Sequence, residues 1–366
     1  MNIKMINMGF GDCFVVNKNN YKLLVDCGTK YKRKYKNSLV CVDSDVDEIL
    51  ITRLDIDEIL ITHFHADHYN CIADIKFSNL KKIYLPPLFY KDKYYLSIFV
   101  LLSLISKKTD FYKFLDWLKN LNARKEYLYT DNKFFNDELI AISPFVKYSK
   151  WDCLLYNGRS ILFSLFKDDD NKLRNFINRI YSFLRFEEKD GEGSKEDKSF
   201  YEEFISLCKF FKKRDFEGEF MYFLPLINFL RALLFEKIHD NCIVFQNANE
   251  CENKNILFCA DASKTLIDHI IEKRILYKSY EVIKLPHHGT DAYSFVVSNP
   301  SYSKYFSSKC YFIPNDNSIK KWSISQKVLN PLCSNNSSII TCDLSKNVLG
   351  SINYIFCSNK CFCVNI

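Results

Sequence analysis

The pattern of hydrophobic and polar positions divides the chain into two strand-rich regions that flank a helical one. Short apolar runs rich in β-branched and aromatic residues predict strands near both ends. In chain order these runs are NIKMINM, CFVVN, YKLLVD and EILIT before residue 86, and CIVFQ, NILFCAD, YEVIKLP, KCYFIP, SIITCD and SINYIFC after residue 241. The KNN sequence between CFVVN and YKLLVD predicts a hairpin turn.

The middle of the chain, from Leu85 to Ile238, predicts helices instead. Apolar residues recur there at i, i+3, i+4 and i+7, which places them on one face of a helix. The clearest stretches run over 111–118, 173–184 and 201–208, and residues 220–235 are apolar on most sides around Pro225. The charged sequence EEKDGEGSKEDK at 187–198 predicts a solvated, mobile loop. Residues 264–276 predict a further amphipathic helix within the second strand-rich region.

A near-duplication of ten residues precedes the most distinctive motif. DVDEILITRL at 45–54 is followed directly by DIDEILITHF at 55–64. Two copies are too few for a solenoid, so each copy is interpreted as an acidic turn followed by a buried strand. Only the second copy continues into histidines, which predicts that the second copy carries the function.

Composition narrows the class of protein. The chain has 366 residues with 48% hydrophobic side chains, which suffices for one large or two ordinary domains and excludes wholesale disorder. The 51 basic and 44 acidic side chains give a net charge of +7, which permits an anionic partner such as nucleic acid without requiring one. The short basic runs KYKRKYK and KFFKKR are interpreted as solvated surface.

The sequence predicts a cytoplasmic protein without a membrane partner. Its longest uncharged apolar run, Tyr94 to Ser106, is shorter than the roughly 20 residues that span a bilayer, and no signal peptide begins the chain. The 15 cysteines are therefore expected to be reduced. The close pair Cys361 and Cys363 is a weak zinc signal, and small buried side chains are the favoured interpretation.

Three of the seven histidines lie within six residues, in the sequence Thr62-His63-Phe64-His65-Ala66-Asp67-His68. They follow the apolar strand EILIT, so a loop at its end can turn several side chains toward one point. Neutral imidazoles and a carboxylate suit zinc or a similar first-row metal. His63 and His65 are expected on one side and Asp67 and His68 on the other, so the ligands can divide between two metals.

This motif resembles the HxHxDH ligand motif of the metallo-β-lactamase superfamily. Three further segments resemble that superfamily in the expected order: Asp26 in LLVDCGT, Asp261 in ILFCADAS and His287-His288-Gly289-Thr290 after YEVIKLP. The resemblance implies that Asp26 supports the histidines from behind and that Asp261 bridges two metals. Ala260 stands where the families usually have glycine, and a helix N-cap is the alternative role for Asp261.

The closest subgroup by motif is the metal-dependent hydrolases similar to the soluble domain of the ComEC-type competence protein. Its opening Gly-x-Gly-Asp turn resembles Gly9-Phe10-Gly11-Asp12, and its closing His-His-Gly-Ser resembles the segment from His287 to Thr290. The implied fold is an α/β protein, the superfamily's αββα sandwich with a large α-helical insertion. The implied divisions are residues 1–86 as the first half, 87–238 as the insertion with a sandwich strand near 125–146, and 239–366 as the second half.

The sequence leaves two questions about the metal ligands undecided. His239 lies where the superfamily's third ligand motif belongs, so it is either a ligand that completes a site with His63 and His65 or an ordinary histidine at a helix end. Of His287 and His288, one is expected to bind the second metal and the other to meet the substrate or support the site. His269, on the predicted amphipathic helix, is interpreted as structural.

The resemblance implies a metal-dependent hydrolase with two divalent ions, zinc first and manganese as the alternative. Asp67, His68 and Asp26 are the residues expected to act in catalysis: Asp67 and His68 on the second metal and its water, and Asp26 through a histidine ring. A phosphodiesterase or nuclease is the leading activity. The alternatives are a hydrolase of a small ester, lactone or thioester, and a regulatory or scaffold protein whose insertion binds a partner chain. The insertion is expected to form a cap beside the active site, with a homodimer contact as the rival role.

Overall fold

The computed structural model describes residues 1–6, 8–30, 40–41, 49–50, 53–145, 152–165, 170–186, 198–212, 216–252, 254–315, 323–335, 337–342, 354–356 and 362–365. The expected mobile loop at 187–198, apart from its last residue, lies outside the described residues, as do Cys361 and much of the first repeat copy. The chain divides into two compact units: residues 1–86, 122–145 and 239–366 form the first, and residues 87–121 and 146–238 form the second.

Two mixed sheets make up the first unit. Its strands are β1 (Asn2–Met5), β2 (Cys13–Lys18), β3 (Tyr21–Cys27), β4 (Val40–Cys41), β5 (Ile49–Leu50), β6 (Arg53–Leu54), β7 (Glu58–Leu60), β8 (Lys76–Phe77), β9 (Lys82–Leu85), β10 (Arg124–Tyr127), β11 (Lys133–Phe134), β12 (Leu139–Ala141), β13 (Phe245–Asn247), β14 (Ile256–Phe258), β15 (Tyr280–Lys284), β16 (Ser308–Ile313), β17 (Ser338–Thr341), β18 (Tyr354–Phe356) and β19 (Phe362–Asn365). The first sheet has the order β10-β9-β7-β3-β2-β1-β19, and the second has the order β11-β12-β13-β14-β15-β16-β17-β18. Two short pairs, β4 with β5 and β6 with β8, lie apart from these sheets.

Both sheets combine antiparallel and parallel strands. In the first sheet β19, β1, β2 and β3 pair antiparallel, and β3, β7, β9 and β10 pair parallel. In the second sheet β11 to β14 pair antiparallel, and β14 to β18 pair parallel. The hairpin between β2 and β3 turns at Asn19 and Asn20, both with positive φ, which confirms the predicted KNN turn.

The inner faces of the two sheets share one hydrophobic core. Alternate residues of several strands enter it, for example Phe14 and Val16 on β2, and Ile256 and Phe258 on β14. This alternation follows from the two-residue period of side chains along a strand. The rings of Phe14 and Phe258 meet edge to face across the core, with centroids 5.2 Å apart. The sheets therefore pack face to face as a sandwich.

Helices cover the outside of the sandwich. The helices of the first unit are α1 (Ala66–Tyr69), which packs against β3, then α9 (Lys264–Glu272), α10 (Phe295–Ser298), α11 (Pro300–Ser303) and α12 (Gln326–Ser334). Leu266, Ile270 and Val328 join a second core against the outward residues of the second sheet, such as Ile283. This arrangement confirms the αββα sandwich that the sequence predicts.

The second unit is helical. It comprises α2 (Leu88–Lys91), α3 (Lys93–Ser106), α4 (Asp110–Lys119), α5 (Asp152–Ser164), α6 (Asp170–Leu184), α7 (Phe200–Lys212) and most of α8 (Phe216–Asp240). Helix α3 contacts α5, α6 and α7, and α4 contacts α7. Asp116 on α4 accepts hydrogen bonds from the backbone N–H groups of Phe200 and Tyr201, so one helix caps the N-terminus of another. The predicted large helical insertion is confirmed.

The apolar stripes of these helices pack on one another. Phe176 and Ile180 on α6 are completely buried, and the ring of Tyr112 on α4 stacks on Phe204 of α7 at 3.8 Å. Broad apolar stripes must be buried, and here each stripe meets a neighbouring stripe.

Some strands were missed by the sequence patterns, among them β9 in the first sheet and β19 at its edge. Strand β19 pairs antiparallel with β1, although the CFCVN segment was interpreted only as closely spaced cysteines. Among the described residues, no helix is both long enough and apolar enough to cross a membrane.

Candidate metal centre

The site lies where strands of both sheets end. Asp26 belongs to β3, the histidine loop follows β7, Asp261 follows β14, and the two adjacent histidines follow β15. Helix α8 ends at Asp240 and supplies His239. All of the predicted site residues meet there: Asp26, His63, His65, Asp67, His68, His239, Asp261, His287 and His288.

The carboxylate of Asp261 is the centre of this cluster. Its Oδ2 lies 3.5 Å from His68 Nε2, 3.7 Å from His288 Nε2, and 3.9 Å from the Nε2 atoms of His63, His239 and His287. Asp261 is buried, as are its partners except the partly exposed His287. A single oxygen among five imidazole nitrogens can serve two groups of ligands at once.

The first group consists of His63, His65 and His239. The Nε2 atoms of His63 and His239 each lie 3.1 Å from His65 Nδ1. Zinc–nitrogen bonds of 2.0–2.1 Å in a tetrahedral site place ligand nitrogens about 3.3 Å apart, so these three fit one ion. The structure brings His239 to the position that a third ligand requires.

The second group contains His68 and His288, with Asp12 and Asp67 as neighbouring carboxylates. His68 Nδ1 donates to Asp26 Oδ2 at 2.8 Å, and His288 Nδ1 donates to the Pro314 carbonyl at 3.0 Å. Burial lowers the pKa of His68, but Asp261, Asp26 and Asp12 raise it well above the usual histidine value, so without a metal Nε2 carries a proton that a bound metal ion would replace. Within the described part of the chain, both Nε2 atoms are buried without a hydrogen-bond partner. Buried nitrogens with this arrangement fit a metal ion, and Asp67 Oδ2 lies 3.8 Å from His288 Nε2.

Asp26 and Thr62 hold histidines of both groups. Asp26 accepts the backbone N–H of Thr62 at 2.8 Å and its hydroxyl at 2.7 Å, besides the ring of His68. The Thr62 hydroxyl oxygen also lies 3.1 Å from His63 Nδ1 and accepts from it when that nitrogen carries the proton. This places Asp26 behind the histidines, as the sequence predicts, and adds Thr62, which the sequence analysis did not single out.

Glycines allow three backbone segments to meet beneath the ligands. The Asp12 N–H donates to the Asp67 carbonyl, and the Gly28 N–H donates to the Asp12 carbonyl, at 3.2 and 3.1 Å. A Cβ atom on Gly11 would lie 2.2 Å from the Gly28 oxygen, and one on Gly28 would lie 2.4 Å from the Asp67 carbonyl carbon. Residues without side chains are therefore required where the Gly-x-Gly-Asp turn and the histidine loop touch.

Lys284 and Asp12 are the charged residues that the sequence analysis did not assign to the site. The Lys284 ammonium lies 2.6 Å from Asp12 Oδ2 and 3.3 Å from Asp261 Oδ1, and all three side chains are buried. Asp12 Oδ1 also lies 3.3 Å from His288 Nδ1, although that nitrogen donates to Pro314 instead. The sequence signal for Lys284 was a lysine that directly follows the apolar pair Val282 and Ile283 in this strand.

Burial and charge act in opposite directions on the ionisable groups. Burial lowers the pKa of His63, His65 and His239 well below the usual histidine value, so these rings are neutral and able to bind a metal. Burial alone would raise the pKa of Asp261, but His288, His68 and Lys284 hold it well below its usual range. The same balance lowers the pKa of Asp12 to about 2, mainly through Lys284.

Both of the adjacent histidines belong to groups of residues that could hold a metal, and they differ in burial. His288 is fully buried among the ligands, whereas His287 retains some exposure and its Nδ1 lies 2.9 Å from Thr290 Oγ1. Ser263, rather than Asp261, caps helix α9 by accepting from the Leu266 N–H, so the N-cap alternative for Asp261 is wrong. His269 lies edge-on to Phe145 and belongs to none of the ligand groups found among the described residues.

Residues 6–93 match the model of the metallo-β-lactamase superfamily, over the range that holds Asp26 and the histidine loop. Over this range the chain is similar to the metallo-β-lactamase superfamily. This match does not distinguish the competence-protein subgroup that the Gly-Phe-Gly-Asp and His-His-Gly-Thr segments resemble. No curated protein matches the sequence significantly.

One similar solved structure is the 1.98 Å crystal structure of Zn²⁺-bound PqqB from Methylobacterium extorquens. The two sequences are 10% identical, the TM-score is 0.32, and the comparison covers 83% of this chain and 80% of that chain.

Proposed function

We propose that this chain is a metal-dependent hydrolase with two divalent ions, zinc in the first instance. The observation that carries the proposal is the position of Asp261 Oδ2 within 3.9 Å of five imidazole nitrogens, four of which belong to the two ligand groups. Metals held there would supply Lewis acidity and an activated water at neutral pH. His63, His65 and His239 would hold one ion, and His68, His288 and Asp67 would hold the other with Asp261 between them.

The chain's own residues then have separate tasks. Asp26 and Thr62 fix the rings of His63 and His68, so their Nε2 atoms stay directed into the site before substrate arrives. Asp67 would help to hold the second ion and would orient a water bound there. His287 is the most exposed of the clustered histidines that contact Asp261, and Thr290 fixes its ring, so we assign it to contact with the substrate.

The proposed substrate class is a phosphodiester, with nucleic acid as the leading polymer. Two features support it. The Gly9-to-Asp12 turn and the His287-to-Thr290 segment resemble the competence-protein hydrolases, and the net charge of +7 favours a polyanion. The test below also distinguishes manganese from zinc as the metal. It likewise distinguishes an ester, lactone or thioester from a phosphodiester as the substrate.

The test begins with elemental analysis of the purified protein. We expect two equivalents of divalent metal and hydrolysis of bis(p-nitrophenyl) phosphate, with further assays on single-stranded DNA, duplex DNA and RNA. His63→Ala and Asp261→Ala should each lower the hydrolysis rate by more than the roughly 100-fold that loss of a ligand's supporting hydrogen bond costs, while leaving the sandwich folded.

His269→Ala is the matched control, since His269 lies outside the ligand groups, and it should keep both metals and full activity. If the protein hydrolyses p-nitrophenyl acetate or a lactone but no phosphodiester, the proposed phosphodiester substrate is wrong and an ester or a lactone takes its place. Protein that binds no divalent metal, even after incubation with zinc or manganese, would reject the hydrolase and favour the scaffold alternative.

A further inference from the structure

Lys284 occupies a position where the fold calls for an apolar side chain. Val282, two residues earlier on β15, enters the core between the two sheets, and Ile283 enters the core on the other side. The two-residue period of a strand therefore places Lys284 on the inner face of the sandwich. Its side chain is 1% exposed, so a charged group ends this strand inside the protein.

Three acceptors surround the ammonium group. Lys284 Nζ lies 2.6 Å from the Ala260 carbonyl, 2.6 Å from Asp12 Oδ2 and 3.3 Å from Asp261 Oδ1. An ammonium group has three N–H donors, so each donor has one acceptor here and the three contacts together fix the position of the charge. Asp12 lies on the turn before β2 of the first sheet, whereas Lys284 belongs to the second sheet, so the ion pair joins the sheets at the metal centre.

The two oxygens of Asp261 have different neighbours. Oδ1 faces Lys284, and Oδ2 faces the histidine nitrogens. The two oxygens of a carboxylate are equivalent, so a contact at one of them fixes the plane of the group, and Lys284 thereby directs the other oxygen at the ligands.

We propose that Lys284 is a positioning residue of the metal centre: it binds Asp261 Oδ1 and thereby holds Oδ2 between the two ligand groups, with Asp12 as its counterion. The inference rests on the proposed function of the site. An ion pair with a purely structural role would bring no advantage in stability here, because well-packed apolar residues stabilise a protein interior as well or better.

The experiment compares Lys284→Met, Lys284→Arg and the double variant Asp12→Asn/Lys284→Met with the full-length protein. Lys309→Met is the matched control, since Lys309 lies on the adjacent strand β16 and its ion pair with Glu281 is exposed. Each protein is stripped with a chelator and titrated with Co²⁺, whose visible absorption reports the ligand geometry. Binding is followed by calorimetry, and kcat and KM are measured on bis(p-nitrophenyl) phosphate.

We expect Lys284→Met to bind the bridged metal pair about 10- to 100-fold more weakly and to show an altered Co²⁺ spectrum. Its kcat should fall more than its KM changes, Lys284→Arg should recover part of the affinity, and Lys309→Met should match the wild type. The double variant removes both members of the Lys284–Asp12 ion pair, so it should recover part of the stability to heat without recovering the Co²⁺ spectrum.

Two results would overturn the inference. One is wild-type Co²⁺ spectrum and affinity in Lys284→Met or in the double variant, since Lys284 would then serve only to neutralise Asp12. The other is failure of both variants to fold, which a structural role alone explains. A wild-type protein that binds no Co²⁺ rejects the proposed function itself, and this outcome is distinct because it appears before any variant is compared.

Discussion

Asp26 is a single carboxylate that determines the orientation of two ligand rings. It binds His68 directly and reaches His63 through the Thr62 hydroxyl. Because His63 belongs to one ligand group and His68 to the other, a change at Asp26 should affect both metals together. Most supporting carboxylates act on one ligand, so this arrangement makes Asp26 unusually sensitive to substitution.

We therefore expect Asp26→Asn to lower metal affinity by about 10- to 100-fold at both ions, because the amide nitrogen cannot accept the N–H of His68 or the Thr62 donors. Competition titration with a chromogenic chelator measures the change. Asp55→Asn is the control, since Asp55 is an exposed partner of Lys22 and should leave affinity unchanged. Loss of one metal with normal affinity for the other would contradict the shared role of Asp26.

The two adjacent histidines should behave differently when replaced. His288 is buried with Nε2 directed at Asp67 and Asp261, whereas His287 is the partly exposed one. We expect His288→Asn to reduce the metal content by one equivalent. His287→Asn should keep both equivalents and lower kcat. Elemental analysis combined with steady-state rates tests both, and the reverse pattern would exchange their roles.

At the scale of elements, the metal site depends on how closely its loops can approach one another. The turn before β2, the end of β3 and the histidine loop touch backbone to backbone at Gly11 and Gly28. An added methyl group at Gly28 meets the main chain of Asp67 and His68, which cannot move without moving ligands.

Gly28→Ala should therefore lower both stability, by about 1–3 kcal/mol, and metal affinity. Gly158→Ala is a matched control in the helical unit, where the added methyl group meets the flexible side chain of Leu230 instead. It should affect stability alone. Urea unfolding and metal titration of both variants make the comparison, and normal metal affinity in Gly28→Ala would show that the loop adapts.

The stability of the helical unit should depend on the hydrophobic interior that its helices form together. Phe176→Ala removes a fully buried ring and should cost about 3–5 kcal/mol of unfolding free energy. Phe229→Ala, where the ring is 47% exposed, should cost much less. Thermal and urea unfolding measure both. Similar losses for the two variants would mean that Phe229 is covered by a partner in solution.

The sequence predicted most of these elements because their patterns are local. The strand before His63 and the helices at 111–118 and 173–184 show their periods within a few residues. Strand β19 escaped because its pairing with β1 joins the two ends of the chain. The role of Lys284 could not be predicted for a related reason. A lysine at a strand end is ordinarily solvated, and only the three-dimensional position of Asp12 and Asp261 gives it buried counterions.

At the scale of the whole molecule, apolar surface is distributed unevenly. Among the side chains that the structure describes, the exposed large hydrophobic residues all belong to the helical unit: Tyr94, Leu154, Tyr156, Ile161, Leu224, Phe229 and Phe235. The sandwich unit contributes none to this set within the described residues. The helical unit is therefore where a role beyond catalysis should be sought, either in substrate selection or in association of two chains.

We expect the helical unit to act as a cap that selects substrates. The variant Tyr156→Lys/Phe229→Lys adds two positive charges at exposed positions, so it should keep the stability of the wild type to within about 0.5 kcal/mol. If the helical unit borders the active-site opening, the new charges raise kcat/KM for DNA and RNA and steepen its dependence on salt, because more phosphate contacts release more counterions. Hydrolysis of bis(p-nitrophenyl) phosphate should change little, since this small diester makes no extended contacts.

Light scattering of the same two proteins decides between the cap and its rival. A cap requires no change of mass between wild type and variant, together with the altered preference for polymers. A dimer contact would instead be broken by two buried lysines, because an unpaired charge in an apolar interface is costly. A dimeric wild type that becomes monomeric in the variant, with activity on every substrate preserved, would reject the cap and assign the helical unit to association.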